Sequence, residues 1–359
     1  MKPLRVGLIG SGGISRTYMA AMEHVPEGRV VGVWSRRRER AEAFAAEFEL
    51  AHATDRVEDL LAEVDVACVN SPNACHAEHA IAAAAAGVHV VVEKPFAVNL
   101  EEAAAIIDAC KRAGVGLAYA EELTFVPRFH EARRILRSGA IGVPLYVTQR
   151  EAHAGPYSPW FFTRDEAGGG VLMDMACHSI ECVRWLLGKP DVVGVTGHLG
   201  TGRHPGPLDD HAVLHLRFDG GTVALCEASW VLQGGMQSKL EIWGSEGTLE
   251  VDLLGETGLR LYARAAAAEP SASGHWSTPL ASWVAENGYP QELSHFLGCF
   301  ARGEAPEESG EDGEKVLEIL YAAYASAREG REIALPFRPA GIDRAVDLWL
   351  GPPVPATRS

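Results

Sequence analysis

The chain has no apolar run of the roughly 20 residues that a bilayer span needs, so integral membrane classes are set aside. Its seven cysteines, at positions 68, 75, 110, 177, 182, 226 and 299, are odd in number and contain no Cys-x-x-Cys pair. That argues against a disulfide framework and a cysteine zinc site, and it suits reduced thiols in a cytoplasm. Positive charge is scarce: 32 Lys and Arg stand against 48 Asp and Glu, a formal net charge of -16. A nucleic-acid backbone is a poor partner for such a surface. Ahead of the first strand there is no leader core and no cleavage site. No spaced His/Glu cluster calls for a metal, and there are no internal repeats. The expectation is a soluble cytoplasmic protein with a small-molecule partner, no nucleic acid and no membrane. At 359 residues it exceeds one ordinary core, so two domains are expected.

What is present starts at once, between Arg5 and Met22. Val6, Leu8 and Ile9 make a short apolar strand. Gly10-Ser11-Gly12-Gly13 breaks it, and Ile14 to Met22 continues as a helix. Strand, glycine turn and helix start together form the dinucleotide-binding fingerprint. Gly10 permits the tight turn, Gly12 lets backbone approach a pyrophosphate, and the helix start presents unpaired N–H groups. Gly10, Ser11, Gly12, Gly13 and Ile14 are the predicted cofactor contacts, and Ser15 takes the third small position. A purely structural strand–turn–helix can carry the same glycines.

The second strand, Arg29 to Trp34, ends in Ser35-Arg36-Arg37-Arg38. An acid here would hold the ribose hydroxyls; a hydroxyl with guanidinium groups suits a 2′-phosphate better. Ser35 and Arg36 therefore favour NADP over NAD, although the arginines also suit the solvated start of the next helix. Helices follow over 38–49 and 55–63. The strand Asp65–Asn70 then runs into Ser71-Pro72-Asn73, with His76 beyond. Ligands sit past the carboxyl ends of strands in an open parallel sheet, which makes Ser71, Pro72, Asn73 and His76 candidates. Asn73 also suits a helix N-cap, and His76 a surface turn. After the helix 77–86, the strand Val88–Val92 ends in Glu93-Lys94-Pro95, where a lysine beside a cofactor can shuttle a proton. Asn99 to Glu102 has the form of a capping box, and Leu117–Ala120 is a last strand. Residues 1–122 are thus expected to be one doubly wound Rossmann domain, and 123–359 a second domain.

The glycine turn, Ser71-Pro72-Asn73 with His76, and Glu93-Lys94-Pro95 stand in order and at matching sheet positions. In these features the chain resembles the Gfo/Idh/MocA family, that is, glucose-fructose oxidoreductase, inositol dehydrogenase and their relatives. The likeness covers nearly the whole length. It implies a catalytic role for Lys94 and cofactor contacts by Glu93, Lys94 and Pro95. It also implies a homodimer or homotetramer built through the second domain's sheet.

The second half changes texture to alternating strands and turn glycines, as expected of an α+β domain with a large, mainly antiparallel sheet. His211 to Phe218 is the clearest: Ala, Leu, Leu and Phe on one face, His, Val, His and Arg on the other. Gly168-Gly169-Gly170 opens a predicted helix to about Leu187, with Asp174 and His178 four apart on one face. Alone, such a pair reads as well as a solvated surface pair. The family resemblance, Asp-x-x-x-His after a glycine turn, makes Asp174 the substrate carboxylate and His178 the acid/base histidine. His153, Tyr157 and Trp160 lie in an aromatic loop that either stacks on a sugar's apolar face or simply packs. Glu121-Glu122 departs from the Asn- or Arg-containing segment of relatives, and Glu122 joins Lys94 among the substrate candidates. Residues 264–277 are expected to form a loop, and Val346, Leu348, Trp349 and Leu350 to dock on a neighbour.

Together these point to an oxidoreductase using NADP or NAD on a secondary hydroxyl of a sugar or cyclitol. Substrate is expected between the domains, over the nicotinamide, and no metal is needed. Two alternatives share the scaffold: a retained-cofactor glycosidase or lyase, and a non-enzymatic dinucleotide or sugar sensor.

Overall fold

The β/α rhythm of the first third builds a parallel sheet. The computed structural model describes residues 2–204, 206–255, 258–263, 274–279 and 287–351. In chain order the first elements are β1 (Leu4–Ile9), α1 (Gly13–Met22), β2 (Gly28–Trp34), α2 (Arg38–Glu47) and β3 (His52–Thr54). Next come α3 (Val57–Leu61), β4 (Val66–Val69), α4 (His76–Ala85), β5 (His89–Glu93), α5 (Leu100–Ala113) and β6 (Leu117–Ala120). The sheet order is β3-β2-β1-β4-β5-β6, every pair parallel. The order reverses between β1 and β4, which is where an open α/β sheet binds its ligand. Val66 to Val69 and Val90 to Val92 are fully buried, as central strands covered on both faces must be. Asn99 caps α5 by accepting from the Glu102 amide at 2.7 Å, while its own amide donates to Glu102 Oε1 at 3.0 Å.

The second half supplies α6 (Pro127–Arg137), β7 (Pro144–Ala152), α7 (Arg164–Ala167), a π-helical turn (Leu172–Ala176) and α8 (Cys177–Leu187). Then come β8 (Val192–Gly200), β9 (His211–Phe218), β10 (Val223–Ser229), β11 (Gln237–Gly244), β12 (Gly247–Asp252), β13 (Leu259–Ala263) and β14 (His275–Ser277). The chain finishes with α9 (Tyr289–Arg302), α10 (Gly310–Glu329), β15 (Ile333–Ala334) and α11 (Asp347–Leu350). The nine-stranded sheet runs β14-β13-β12-β11-β7-β10-β9-β8-β15. It is antiparallel throughout except for the parallel β7–β10 pair at its middle. In β9, Leu214, Leu216 and Phe218 are buried while Val213 and Arg217 are exposed.

The chain forms two compact units, Met1–Phe125 with Asn287–Leu317, and Val126–Glu286 with Glu318–Ser359. Residues 287–317 thus return to the first unit, which a single cut after 122 does not anticipate. The reason is the apolar stripe of α9: Leu293, Phe296, Leu297 and Phe300 belong to the same core as Val6, Leu8, Val33 and Phe44. A side chain at Gly28 would lie 2.5 Å from Leu297 Cδ1, so helix and strand meet closely there.

Two sequence expectations change in part. Residues 275–277 of the expected loop form β14; residues 264–273 lie outside the described residues. Val346 is buried within its own chain and Asp347 receives Arg164 at 2.7 Å, so these two residues pack at home, while Leu350 stays exposed. At the C-terminus, residues 352–359 lie outside the described residues. Among the described residues, no helix is long and apolar enough to cross a membrane.

Candidate active site

The turn after β1 has a conformation that only glycine carries easily. Gly10 has φ +130°, and a Cβ there would lie 2.6 Å from the carbonyl oxygen of Asn70, at the end of β4. Ser15 holds the turn, its hydroxyl donating to Gly10 O at 2.8 Å, while Asn70 Nδ2 donates to Ser15 Oγ at 3.2 Å. Gly12 is the N-cap of α1, with no side chain covering the helix start and no acid in the first turn. A Cβ added to Gly12 or Gly13 would meet nothing within 4 Å. Space and bare N–H groups together fit a pyrophosphate.

At the tip of β2, Ser11 Oγ lies 3.1 Å from the buried Ser35 Oγ. Arg38 is engaged by Glu42 at 2.9 Å and Asp55 at 3.6 Å. Arg36 and Arg37 are exposed, and neither makes an ion pair among the described residues.

The other predicted contacts of this unit separate into those at the surface of the site and those beneath it. His76 is not a surface residue: it is 1% exposed, with Nδ1 2.9 Å from Pro95 O and Nε2 2.9 Å from Ser71 O. It therefore ties the loop after β4 to the loop after β5. Asn73 opens a 3-10 turn, Asn73–Cys75, ahead of α4, whose N-cap position is Cys75. Ser71 Oγ is 2.9 Å from His79 Nδ1. Glu93 is buried, and its Oε2 accepts from the Lys94 amide at 3.1 Å; burial pushes its carboxyl up to about 7. Lys94 itself is half-buried, and Glu122 begins a 3-10 turn, Glu122–Phe125. Glu292 and Tyr289 of α9, which the sequence did not single out, are also in this environment. Burial, then the charges of Glu122, Glu93 and Glu121, raise the Glu292 carboxyl well above its usual range.

The histidines predict a pH dependence of stability. Burial lowers the His76 and His79 imidazoles to about 4, against 6.5 in an unfolded chain. The unfolded state therefore binds more protons between these values, and their contribution to stability is lost as pH falls from 6.5 through 4. Glu93, raised to about 7, gives the opposite slope as pH rises from 4.5. Comparing wild type with His79→Gln cancels that shared slope. On going from about pH 7.5 to about pH 5, the variant's urea midpoint should fall less, or rise more, than wild type's. Equal changes would remove His79 as a source.

In the second unit the triple glycine has a packing cause. A Cβ on Gly170 would lie 2.0 Å from Asp209 O, and one on Gly169 2.2 Å from Tyr324 Oη. Asp209 accepts from the Gly170 amide at 3.1 Å, the Leu172 amide at 2.7 Å and Tyr324 Oη at 2.9 Å, pinning the chain just before the π-helical turn. Asp174 sits in that turn and His178 in the first turn of α8, both 5% exposed, so the predicted continuous α-helix from 168 is not what forms. π-helical turns are frequent at functional sites.

Asp174 Oδ2 accepts from Trp230 Nε1 at 2.9 Å and lies 3.9 Å from His153 Nε2. Trp160 stacks on Phe161 with centroids 3.7 Å apart, and Phe161 meets Trp230 edge-on at 6.5 Å. His153 thus stands beside Asp174, and Trp160 connects to Trp230 by way of Phe161. Tyr157 does not join them: its side chain is fully exposed. Trp230 was invisible to sequence reasoning, being 56 residues from its partner and directly behind a strand.

Two family models match the chain: "Oxidoreductase family, NAD-binding Rossmann fold" over residues 4–121, and "GFO/IDH/MocA C-terminal domain" over residues 129–250. The chain is 29% identical to 1,5-anhydro-D-fructose reductase of Ensifer adhaerens, covering 91% of this chain and 97% of that protein. It is 27% identical to myo-inositol 2-dehydrogenase of Thermotoga maritima, covering 92% and 98%. Among solved structures, levoglucosan dehydrogenase in complex with NADH and levoglucosan is similar with a TM-score of 0.84. That match has 27% identity and covers 93% of this chain and 100% of the other.

Proposed function

The chain belongs to the GFO/IDH/MocA family of NAD-binding oxidoreductases, and from that membership we propose its substrate, cofactor and working residues. It is a dehydrogenase or reductase of a sugar or cyclitol. The reaction interconverts a secondary hydroxyl and a ketone, with one hydride going to or from the nicotinamide and one proton to or from the protein. A bound nicotinamide dinucleotide supplies the hydride acceptor or donor. The observation that carries the cofactor reading is the bare start of α1 beyond Gly10, with room at Gly12 and Gly13.

In the oxidative direction, Lys94 Nζ takes the hydroxyl proton, and its positive charge steadies the developing alkoxide. Asp174 receives substrate hydroxyls, His178 assists the proton transfer, and His153 and Trp160 contact the substrate ring. Reduced dinucleotide forming from one member of a panel of sugars and cyclitols, and not without it, supports the reading. No reduced dinucleotide from any member, with dinucleotide bound, would contradict it.

The cofactor preference is NADP. Support comes from the acid-free tip of β2, where exposed Arg36 stands beside buried Ser35. Arg36→Ala should lower kcat/KM for NADP by roughly tenfold and leave that for NAD little changed. An equal loss for both, or an initial preference for NAD, would overturn this assignment.

The protein is further proposed to be cytoplasmic and to form a homodimer or homotetramer through the large sheet. Leu145, Val213 and Trp243 leave apolar surface exposed on its strands. Light scattering after gel filtration should report two or four copies; a monomer at working concentration would contradict it.

A further inference from the structure

Trp230 is 1% exposed, and its indole N–H is given to a carboxylate. A buried indole needs an acceptor, and a backbone carbonyl would serve. Here the acceptor is Asp174 Oδ2 at 2.9 Å, and a donor to a charged oxygen makes a stronger and more directional bond than a neutral pair does.

The tryptophan is itself held from several sides. Its amide donates to Asp210 O at 2.8 Å, and His204 Nε2 lies 3.0 Å from its carbonyl oxygen. Phe162 and His204 meet its ring edge-on at 5.7 Å and 6.0 Å. His204 is fixed in turn by the Asp210 carboxylate, whose Oδ2 accepts from the amides of Gly202 at 3.0 Å, Arg203 at 2.6 Å and His204 at 2.9 Å. Asp210 Oδ1 is 2.8 Å from His211 Nδ1. Burial alone would raise the Asp210 carboxyl, but these donors bring it down to about 2, so it stays a charged anchor.

A second arm reaches Asp174 from the loop after β7. The Gly155 amide donates to His153 Nδ1 at 2.9 Å, which puts the lone pair on Nδ1 and, in a neutral ring, the proton on Nε2. That Nε2 is 3.2 Å from Met175 Sδ and 3.9 Å from Asp174 Oδ2. Gly155 is needed for this seat: a Cβ there would lie 2.6 Å from His204 Cε1. Both arms therefore close on the one ring, His204, that backs Trp230.

We propose that Trp230 is a positioning residue for Asp174: its N–H, braced by the Asp210-anchored turn at residues 202–204 and by His204, sets the direction of that carboxylate toward substrate. This rests on the reading of Asp174 as the group that receives substrate hydroxyls. A braced donor adds a directional constraint on the carboxylate before substrate arrives, which a tryptophan that only filled space would not, and pre-set geometry is worth rate.

The test is a double-mutant cycle of Trp230→Phe and Asp174→Asn, with substrate kcat and KM and the dinucleotide dissociation constant read for each protein. Phenylalanine keeps most of the ring and removes the N–H. Trp230→Phe alone should lower substrate kcat/KM by roughly 10- to 100-fold and leave dinucleotide affinity unchanged. In the Asp174→Asn background the same change should cost less than about threefold. The same loss in both backgrounds overturns the proposal, because packing does not depend on the carboxylate.

A second measurement needs neither turnover nor a stable Trp230 variant. The chain has eight tryptophans. In protein labelled with 15N-indole, Asp174→Asn should displace one Nε1–H resonance sharply, and that resonance should follow the titration of Asp174 in wild type. No displaced indole resonance overturns the proposal, whether or not any sugar is turned over. Silence across the substrate panel with a displaced resonance instead overturns the functional reading and leaves the positioning bond standing.

Discussion

Lys94→Ala should lower turnover by roughly 100-fold or more while the dinucleotide still binds with near-normal affinity. The expectation follows from where the lysine stands. β5 carries Val90, Val91 and Val92 fully buried, then ends at Glu93, so the first half-buried side chain beyond the strand is that of Lys94. Its neighbours do not share that position: Glu93 is turned inward and takes the lysine amide, and Pro95 O engages His76. Removing the Lys94 side chain leaves the backbone on both sides tied. Structure and cofactor affinity should therefore survive, and proton transfer should fail. Steady-state turnover alongside dinucleotide titration by fluorescence separates these effects. Near-normal turnover in the variant would remove Lys94 from the chemistry, and equal loss of cofactor affinity would make it a binding residue.

The second large effect is a contrast within one turn. Gly10→Ala should destabilise the first unit by about 3 kcal/mol or more and abolish dinucleotide binding, because φ +130° disfavours any side chain and the new Cβ would sit 2.6 Å from Asn70 O. Gly12→Ala should leave the urea midpoint nearly unchanged, since its Cβ meets no protein atom within 4 Å. Yet it should weaken dinucleotide binding by roughly tenfold or more, because the methyl would occupy the space beyond the helix start. Loss of stability in both variants would make the two glycines structural alone. Unchanged affinity in Gly12→Ala would mean that no pyrophosphate comes near.

What was legible in the sequence was what local geometry dictates. The strand–glycine–helix start at Ile9 to Gly13 is determined by backbone angles within five residues, and it forms as expected. The Asn99–Glu102 cap and the alternation in β9 are equally local. The short edge strand β3 offers three residues and no period, so nothing marked it. Leu293, Phe296, Leu297 and Phe300 of α9 have helical spacing, but a helical stripe does not name the sheet it covers, and this one returns to the first unit.

At the site the same division holds. Asp174 and His178 stood out through the family's Asp-x-x-x-His pattern after three glycines, whereas the π-helical turn did not, because a run of apolar residues fits either winding. His76 was ambiguous because an isolated histidine carries no sign of burial; its two carbonyl partners lie 5 and 19 residues away. Trp230 matters through a partner 56 residues away, and Asp210 through a turn at residues 202–204 whose amides it gathers, and neither follows a regular spacing.

The most direct test of the central claim is isotopic. Substrates from the sugar and cyclitol panel, carrying deuterium on the carbon of a secondary hydroxyl, would be incubated with enzyme and oxidised NADP or NAD. The reduced dinucleotide would then be isolated and its label read by mass spectrometry. Direct hydride transfer predicts one deuterium in the reduced nicotinamide for each ketone formed. Ketone formed with the deuterium released to water, or product formed with no reduced dinucleotide, would contradict it.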